Sequence, residues 1–129
     1  MRLLLDTHLL LWALVTPERL GAATRAALED PDNEVLFSAA SIWEIAIKAG
    51  LGRADFAFQP LQILQAAQET GFRELPVRAR TAALVADLPL HHRDPFDRLL
   101  VAHAISEPVR LYTADPLLLP YSELVTLVR

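Results

Sequence analysis

Arg2-Leu3-Leu4-Leu5-Asp6 is an apolar run that ends on a carboxylate. Such a run suits a strand buried on both faces of a sheet, as parallel sheets require. The segment after it, His8–Val15, is apolar on nearly all sides and reads as a buried helix, broken by Thr16-Pro17-Glu18. Working outward, strand and helix patterns alternate. Ala22–Glu29 is an Ala-rich helix closed by Asp30-Pro31-Asp32-Asn33, and Glu34–Ser38 is a second short strand. Ser41–Ala49 is a helix ending at Gly50 and Gly52. Arg53–Gln59 is a loop, and Pro60–Glu69 is a helix stopped by Gly71. Phe72–Pro76 is a strand, Arg78–Leu88 a helix stopped by Pro89, and Leu90–Arg93 a loop. Pro95–Ser106 is a helix with Asp94 as its N-cap. Val109–Thr113 is a strand and Leu124–Val128 a possible last one. The alternation predicts an α/β fold, a three-layer α/β/α sandwich with a mostly parallel central sheet, its strand order left open.

The 129 residues fit one domain, with no repeat, linker or low-complexity tract. Hydrophobic residues make up 53% of the chain, enough for a core with an excess that a partner interface would cover. Cysteine is absent, which excludes disulfides and thiolate metal sites and permits a reducing cytoplasm. The N-terminal apolar run is cut by Asp6 and is too short to span a bilayer, so a cytoplasmic protein is expected. The net charge of −4 argues against passive binding of nucleic acid by phosphate neutralisation. It is compatible with an enzyme whose positive charge comes from a bound metal. Every basic side chain except Lys48 is Arg, which suits bidentate contacts to phosphate or carboxylate.

Ligands of an open parallel sheet bind beyond the carboxyl ends of its strands. Asp6 closes the first strand, Glu44 lies in the first turn or so of the helix after the second, and Asp115 lies just past Thr113. Asp97 joins them if its helix starts at the same edge. Two unit charges about 4 Å apart repel by roughly 4 kcal/mol at an effective dielectric near 20. Such a cluster must take up protons or a cation, and carboxylates without Cys favour Mg²⁺ or Mn²⁺. That combination suits attack of water on a phosphodiester.

Each residue also has a structural role open to it. Ser41 and Glu44 form a capping-box pattern, and Glu44 stands four residues before Lys48. Asp94 is an N-cap with Arg98 four residues on; Asp97 favours a helix N-terminus; Asp115-Pro116 starts a turn. Asp6 has the weakest structural excuse. His103 shares an apolar helix face with Phe96, Leu99 and Leu100 and is expected in the core. His91 and His92 are expected as solvated loop residues, with a metal or phosphate contact as the alternative. His8 is unassigned, and Trp12 and Trp43 are expected in the core or an interface rather than as stacking platforms.

Four segments together resemble the PIN domain nucleases, and most closely the VapC-like ribonuclease toxins of prokaryotic toxin–antitoxin pairs. They are Leu4-Leu5-Asp6-Thr7-His8, Ser38 to Lys48, Arg93-Asp94-Pro95-Phe96-Asp97-Arg98-Leu99-Leu100-Val101-Ala102, and Leu111-Tyr112-Thr113-Ala114-Asp115. Their order, spacing and context match over nearly the whole chain. The resemblance implies a Mg²⁺- or Mn²⁺-dependent endoribonuclease, usually a homodimer, with a cognate VapB-like antitoxin blocking the acidic pocket. It carries over Asp6, Glu44, Asp97 and Asp115 as catalytic acids. Asp6, Asp97 and Asp115 would hold the metal, and Glu44 would complete the site directly or through water. Asp94, Thr113 and Thr7 are secondary candidates.

Two other functions fit parts of the chain. A phosphotransfer protein with an aspartyl nucleophile would use Asp6, but the sequence lacks a second Asp two residues on, and Lys48 is poorly placed to clamp charge. A non-catalytic binding module would use the acids only as caps.

Overall fold

The computed structural model describes residues 1–52 and 56–128. Arg53 to Asp55, at the start of the expected Arg53–Gln59 loop, lie outside the described residues, as does Arg129. Five strands form one sheet: β1 (Arg2–Leu5), β2 (Glu34–Ser38), β3 (Arg73–Leu75), β4 (Arg110–Thr113) and β5 (Val125–Leu127). The order is β3-β2-β1-β4-β5, and every pair is parallel. The helices are α1 (Thr7–Val15), α2 (Ala22–Glu29), α3 (Ala39–Gly50), α4 (Pro60–Thr70), α5 (Ala79–Leu84) and α6 (Pro95–Ser106). Short 3₁₀ turns occupy Pro17–Arg19, Val85–Asp87 and Pro116–Tyr121.

The Leu3-Leu4-Leu5 run is buried on both faces because alternate side chains enter different cores. Leu3 and Leu5 pack with Leu9, Leu10, Phe37, Ile45 and Ile63 on one side. Leu4 packs with Leu36, Leu100, Val101, Leu111 and Leu118 on the other. Helices thus cover both faces, and the expected three-layer α/β/α sandwich is present. No helix among the described residues is long and apolar enough to cross a membrane.

Among the helix boundaries that differ from the sequence expectation, two follow from capping. The first helix begins at Thr7 rather than His8, because Asp6 is its N-cap and accepts a hydrogen bond from the Leu9 amide. The third helix begins at Ala39, capped by Ser38, so Ser41 lies inside it and the Ser41–Glu44 capping box does not form. Glu44 consequently sits in the second turn. The expected Arg78–Leu88 helix splits into α5 and the 3₁₀ turn Val85–Asp87.

The strand order creates a switch point. The chain steps outward from β1 to β2 and β3, then returns to lay β4 on the other side of β1. Connections leave β1 and β4 in opposite directions, which opens a crevice at their carboxyl ends. Asp6 follows β1 there, its amide bonded to the Tyr112 carbonyl of β4, and Asp115 follows β4 two residues after Thr113.

Candidate active site

The site is built on two pinned carboxylates. Asp6 is 4% exposed. Its Oδ1 accepts from the Leu9 amide at 2.8 Å and its Oδ2 from the Thr113 hydroxyl at 2.6 Å. Burial pushes its pKa up, against the lowering effect of those bonds. The Thr113 hydroxyl in turn accepts from the Asp115 amide, linking the two acids across the crevice. Asp115 caps the Pro116–Tyr121 turn through Oδ1, which accepts from the Leu117 amide. Its Oδ2 faces the site.

Asp97 lies in the first turn of α6, and α6 starts at the same sheet edge. Asp6, Asp97 and Asp115 line one cavity of about 340 Å³, walled by His8, Trp12, Ala114 and Pro116. Burial first, and then the negative charges of Asp94, Asp6 and Glu44, together raise the Asp97 pKa to about 7. Glu44 is 3% exposed. Its Oε2 pairs with Lys48 Nζ at 2.7 Å, while its buried Oε1 has no hydrogen-bond partner among the described residues. All four acids expected from the sequence therefore share one electrostatic neighbourhood.

The secondary candidates separate. Asp94 is the N-cap of α6, its Oδ1 accepting from the Phe96 and Asp97 amides, so its carboxylate is engaged with the backbone. Thr113 touches Asp6 directly. Thr7 is buried but donates to the Ser41 hydroxyl at 2.9 Å rather than to an acid. His103 is fully buried as expected, its Nε2 bonded to the Ser38 hydroxyl, and burial lowers its pKa. Of the two places expected for Trp43, core or interface, the core is excluded: it is 61% exposed and meets Phe96 edge to face.

His92 is a correction. It is not a solvated loop residue. Its Nε2 lies 2.8 Å from Asp115 Oδ2 and 3.2 Å from Asp97 Oδ2, and those three ligand-type atoms all fall within 4.8 Å of one another. Arg98 and Tyr121 hold the loop that presents it. Tyr121 Oη accepts from the His91 and His92 amides, and Arg98 donates to the carbonyls of Val85, Leu88, Pro89 and His92. The sequence signal for His92 was its place just before the Asp94-Pro95-Phe96-Asp97 segment, too weak alone to outrank a solvated loop.

A second cavity, about 510 Å³, adjoins the acid pocket and shares His8 and Trp12 with it. Phe56, Phe58, Arg19 and Lys48 complete its walls, with the Arg19 guanidinium 5.6 Å from the centre of the Trp12 ring.

The PIN domain model matches residues 3–119 of this chain. The chain belongs to the PIN domain family. It is similar to Ribonuclease VapC22 of Mycobacterium tuberculosis, with 36% identity over 113 residues, covering 87% of this chain and 85% of that one. It is also similar in fold to a solved structure, VapBC2 from Rickettsia felis bound to a DNA fragment from their promoter. The TM-score there is 0.73 at 14% identity, with both chains covered completely.

The raised Asp97 pKa has a measurable consequence in the metal-free PIN domain. A carboxyl held at about 7 in the folded state, against 3.8 as its ordinary value, keeps its proton better when folded. Its stabilising contribution is complete below the ordinary value and is lost as pH rises through the folded one. Asp97→Asn should therefore gain thermal stability over wild type in chelator, by a margin that grows from about pH 4.5 to about pH 7.5. Thermal melts of both chains across that range check it. A margin independent of pH would show that Asp97 is not the strained acid.

Proposed function

We propose that this PIN domain is a divalent-metal-dependent endoribonuclease of VapC type, the toxin of a toxin–antitoxin pair. The observation that carries it is the convergence of Asp6, Glu44, Asp97 and Asp115 at the switch point, with more negative charge than the protein neutralises. The residues fit a hard cation. The donors are carboxylate oxygens, Cys is absent, and Glu44 keeps an unpartnered buried oxygen. Asp6, Asp97 and Asp115 would hold Mg²⁺ or Mn²⁺, with Glu44 completing the site directly or through water. When bound, the ion supplies charge neutralisation for the phosphate and a water acidic enough to attack it at neutral pH.

The chain's own groups do the positioning. Thr113 and the Leu9 amide fix both oxygens of Asp6, so its orientation costs nothing when substrate arrives. Lys48 holds one oxygen of Glu44 and leaves the other buried without a partner among the described residues. The adjoining cavity, with Trp12, Phe56 and Phe58 beside Arg19, Lys48 and His8, suits a single RNA strand whose bases stack while its phosphates meet cations. The chain acts as one nuclease unit and works in the cytoplasm. Trp43, Ile47 and Leu51, exposed at helical spacing along and just beyond α3, support a homodimer.

Cleavage of single-stranded RNA should stop in chelator and return with Mg²⁺ or Mn²⁺; undiminished cleavage in chelator would overturn the reading. The partner is a VapB-like antitoxin whose basic tail enters the acid pocket in place of the ion's charge. An antitoxin shortened by its basic tail residues should inhibit at least about tenfold less well, the worth of one buried charge-assisted contact. Inhibition undiminished by that truncation would remove the tail from the account.

A further inference from the structure

His92 stands where the resident ion of the proposed site would have to go, and its hydrogen bonds fix its chemical role. Its Nδ1 lies 3.1 Å from the Asp94 amide nitrogen, which donates to it. A neutral imidazole whose Nδ1 accepts must carry its proton on Nε2. That Nε2–H points at Asp115 Oδ2 and Asp97 Oδ2, at 2.8 and 3.2 Å. A ligand needs a lone pair on the nitrogen facing the metal, and here that nitrogen is a donor. Moving the proton to Nδ1 would set two N–H groups against each other at Asp94.

The oxygens at stake are the ones a cation needs. Asp115 Oδ1 accepts from the Leu117 amide, and His92 engages Oδ2, the oxygen that faces Asp97. The imidazole is itself held in place. Tyr121 Oη accepts from the His92 amide at 2.9 Å, and the His92 carbonyl accepts from Arg98. Only Nε2 binds the imidazole to the acids, so rotation of the side chain away from them frees both carboxylate oxygens and leaves the loop's backbone bonds in place.

We propose that His92 is a displaceable occupant of the cation site rather than a metal ligand: its Nε2–H bridges Asp97 and Asp115 in the metal-free chain, and the ion must break that bridge to bind. This rests on the proposed function, since it presumes that the acids take a divalent ion. His92 thereby keeps the acids at one edge when no ion is present and sets a threshold on ion affinity. It is a positioning residue, and its sign distinguishes it from a ligand. Removing a ligand weakens metal binding; removing a competitor strengthens it.

Calorimetric titration with Mn²⁺ on wild type, His92→Ala and His92→Gln tests this without any activity measurement. His92→Ala should bind Mn²⁺ about tenfold more tightly, the scale of one lost hydrogen bond to a charged group. His92→Gln keeps an amide donor and should fall between the two, which preserves the test if the alanine variant does not fold. Weaker or unchanged Mn²⁺ binding by the folded variants, with wild type binding normally, overturns the His92 proposal alone. No Mn²⁺ binding by wild type overturns the underlying metal reading with it. Nitrogen NMR of the metal-free wild-type chain gives a second check. A protonated Nε2 and bare Nδ1 are expected at His92, and the opposite tautomer would contradict the proposal.

Discussion

Asp6→Asn should lower RNA cleavage by roughly a thousandfold or more, about 4 kcal/mol of transition-state stabilisation, while the folded chain loses no stability. Both halves follow from the surroundings of Asp6. The carboxylate is buried and its charged form is penalised by that burial. Asn retains an oxygen for the Leu9 amide, and it is as good an N-cap as Asp. Its amide would face the Thr113 hydroxyl, which has the lone pairs to accept from it as well as from the Asp115 amide. The substitution thus keeps the Leu9 bond, reverses the direction of the Thr113 bond, and removes the buried charge. Rates on single-stranded RNA in Mg²⁺, paired with thermal melts in chelator, measure the two effects separately. Cleavage at the wild-type rate would remove Asp6 from the site; a large loss of stability would mean that its charge serves the fold.

Arg98→Ala is expected to be the most damaging single change outside the acids. The guanidinium donates to the carbonyls of Val85, Leu88, Pro89 and His92 and to the Tyr121 hydroxyl. Several of these are part-buried, so truncation strands acceptors that water reaches poorly. The cost should be about 2–3 kcal/mol, or a fall of roughly 10 °C in melting temperature for a domain of this size. Arg98→Lys should recover little of it, because an ammonium on a flexible stem cannot serve a planar fan of acceptors. The effect should also reach the acid pocket, since the stretch from Leu88 to Asp94 presents His92. A melt within about 0.5 kcal/mol of wild type, the range of an ordinary surface change, would show that the loop is held by other contacts.

Arg98 also marks the limit of what the sequence discloses. Its spacing from Asp94 suggested a helix ion pair, a local relation of the kind sequence carries well. Its observed work is long-range: it ties the Val85–Asp87 turn, the loop before α6 and Tyr121 to one point. His92 was obscured for the same reason. Its partner Asp115 is local neither to it nor to Asp97, and only the return of β4 alongside β1 brings the three together. Asp6 was legible because the Leu run before it decides a buried strand, and a strand end is where parallel sheets bind ligands. Glu44 was legible as a candidate but was placed a turn too early. The capping-box reading put the cap at Ser41, whereas Ser38, the last residue of β2, caps the helix, and that depends on where β2 ends. The layers and the mostly parallel sheet followed from alternation of elements. The order β3-β2-β1-β4-β5 did not, since no local pattern records which side of β1 receives the fourth strand.

The alternatives weighed from the sequence are narrowed by the same geometry. A phosphotransfer protein needs a cation free to clamp the phosphoryl group beside its nucleophile, and Lys48 is instead paired with Glu44 at 2.7 Å. A module whose acids serve only as caps would leave none in excess. Asp94 and Asp115 do cap, but Asp97 and Glu44 gain no capping bond and raise the local charge.

The central claim is that these acids form a cation site. A calorimetric Mn²⁺ titration of wild type beside the Asp97→Asn/Asp115→Asn double variant tests it most directly. Saturable Mn²⁺ binding by wild type and none by the folded double variant is the result predicted. Equal binding by the two chains, or no binding by either, would contradict the account.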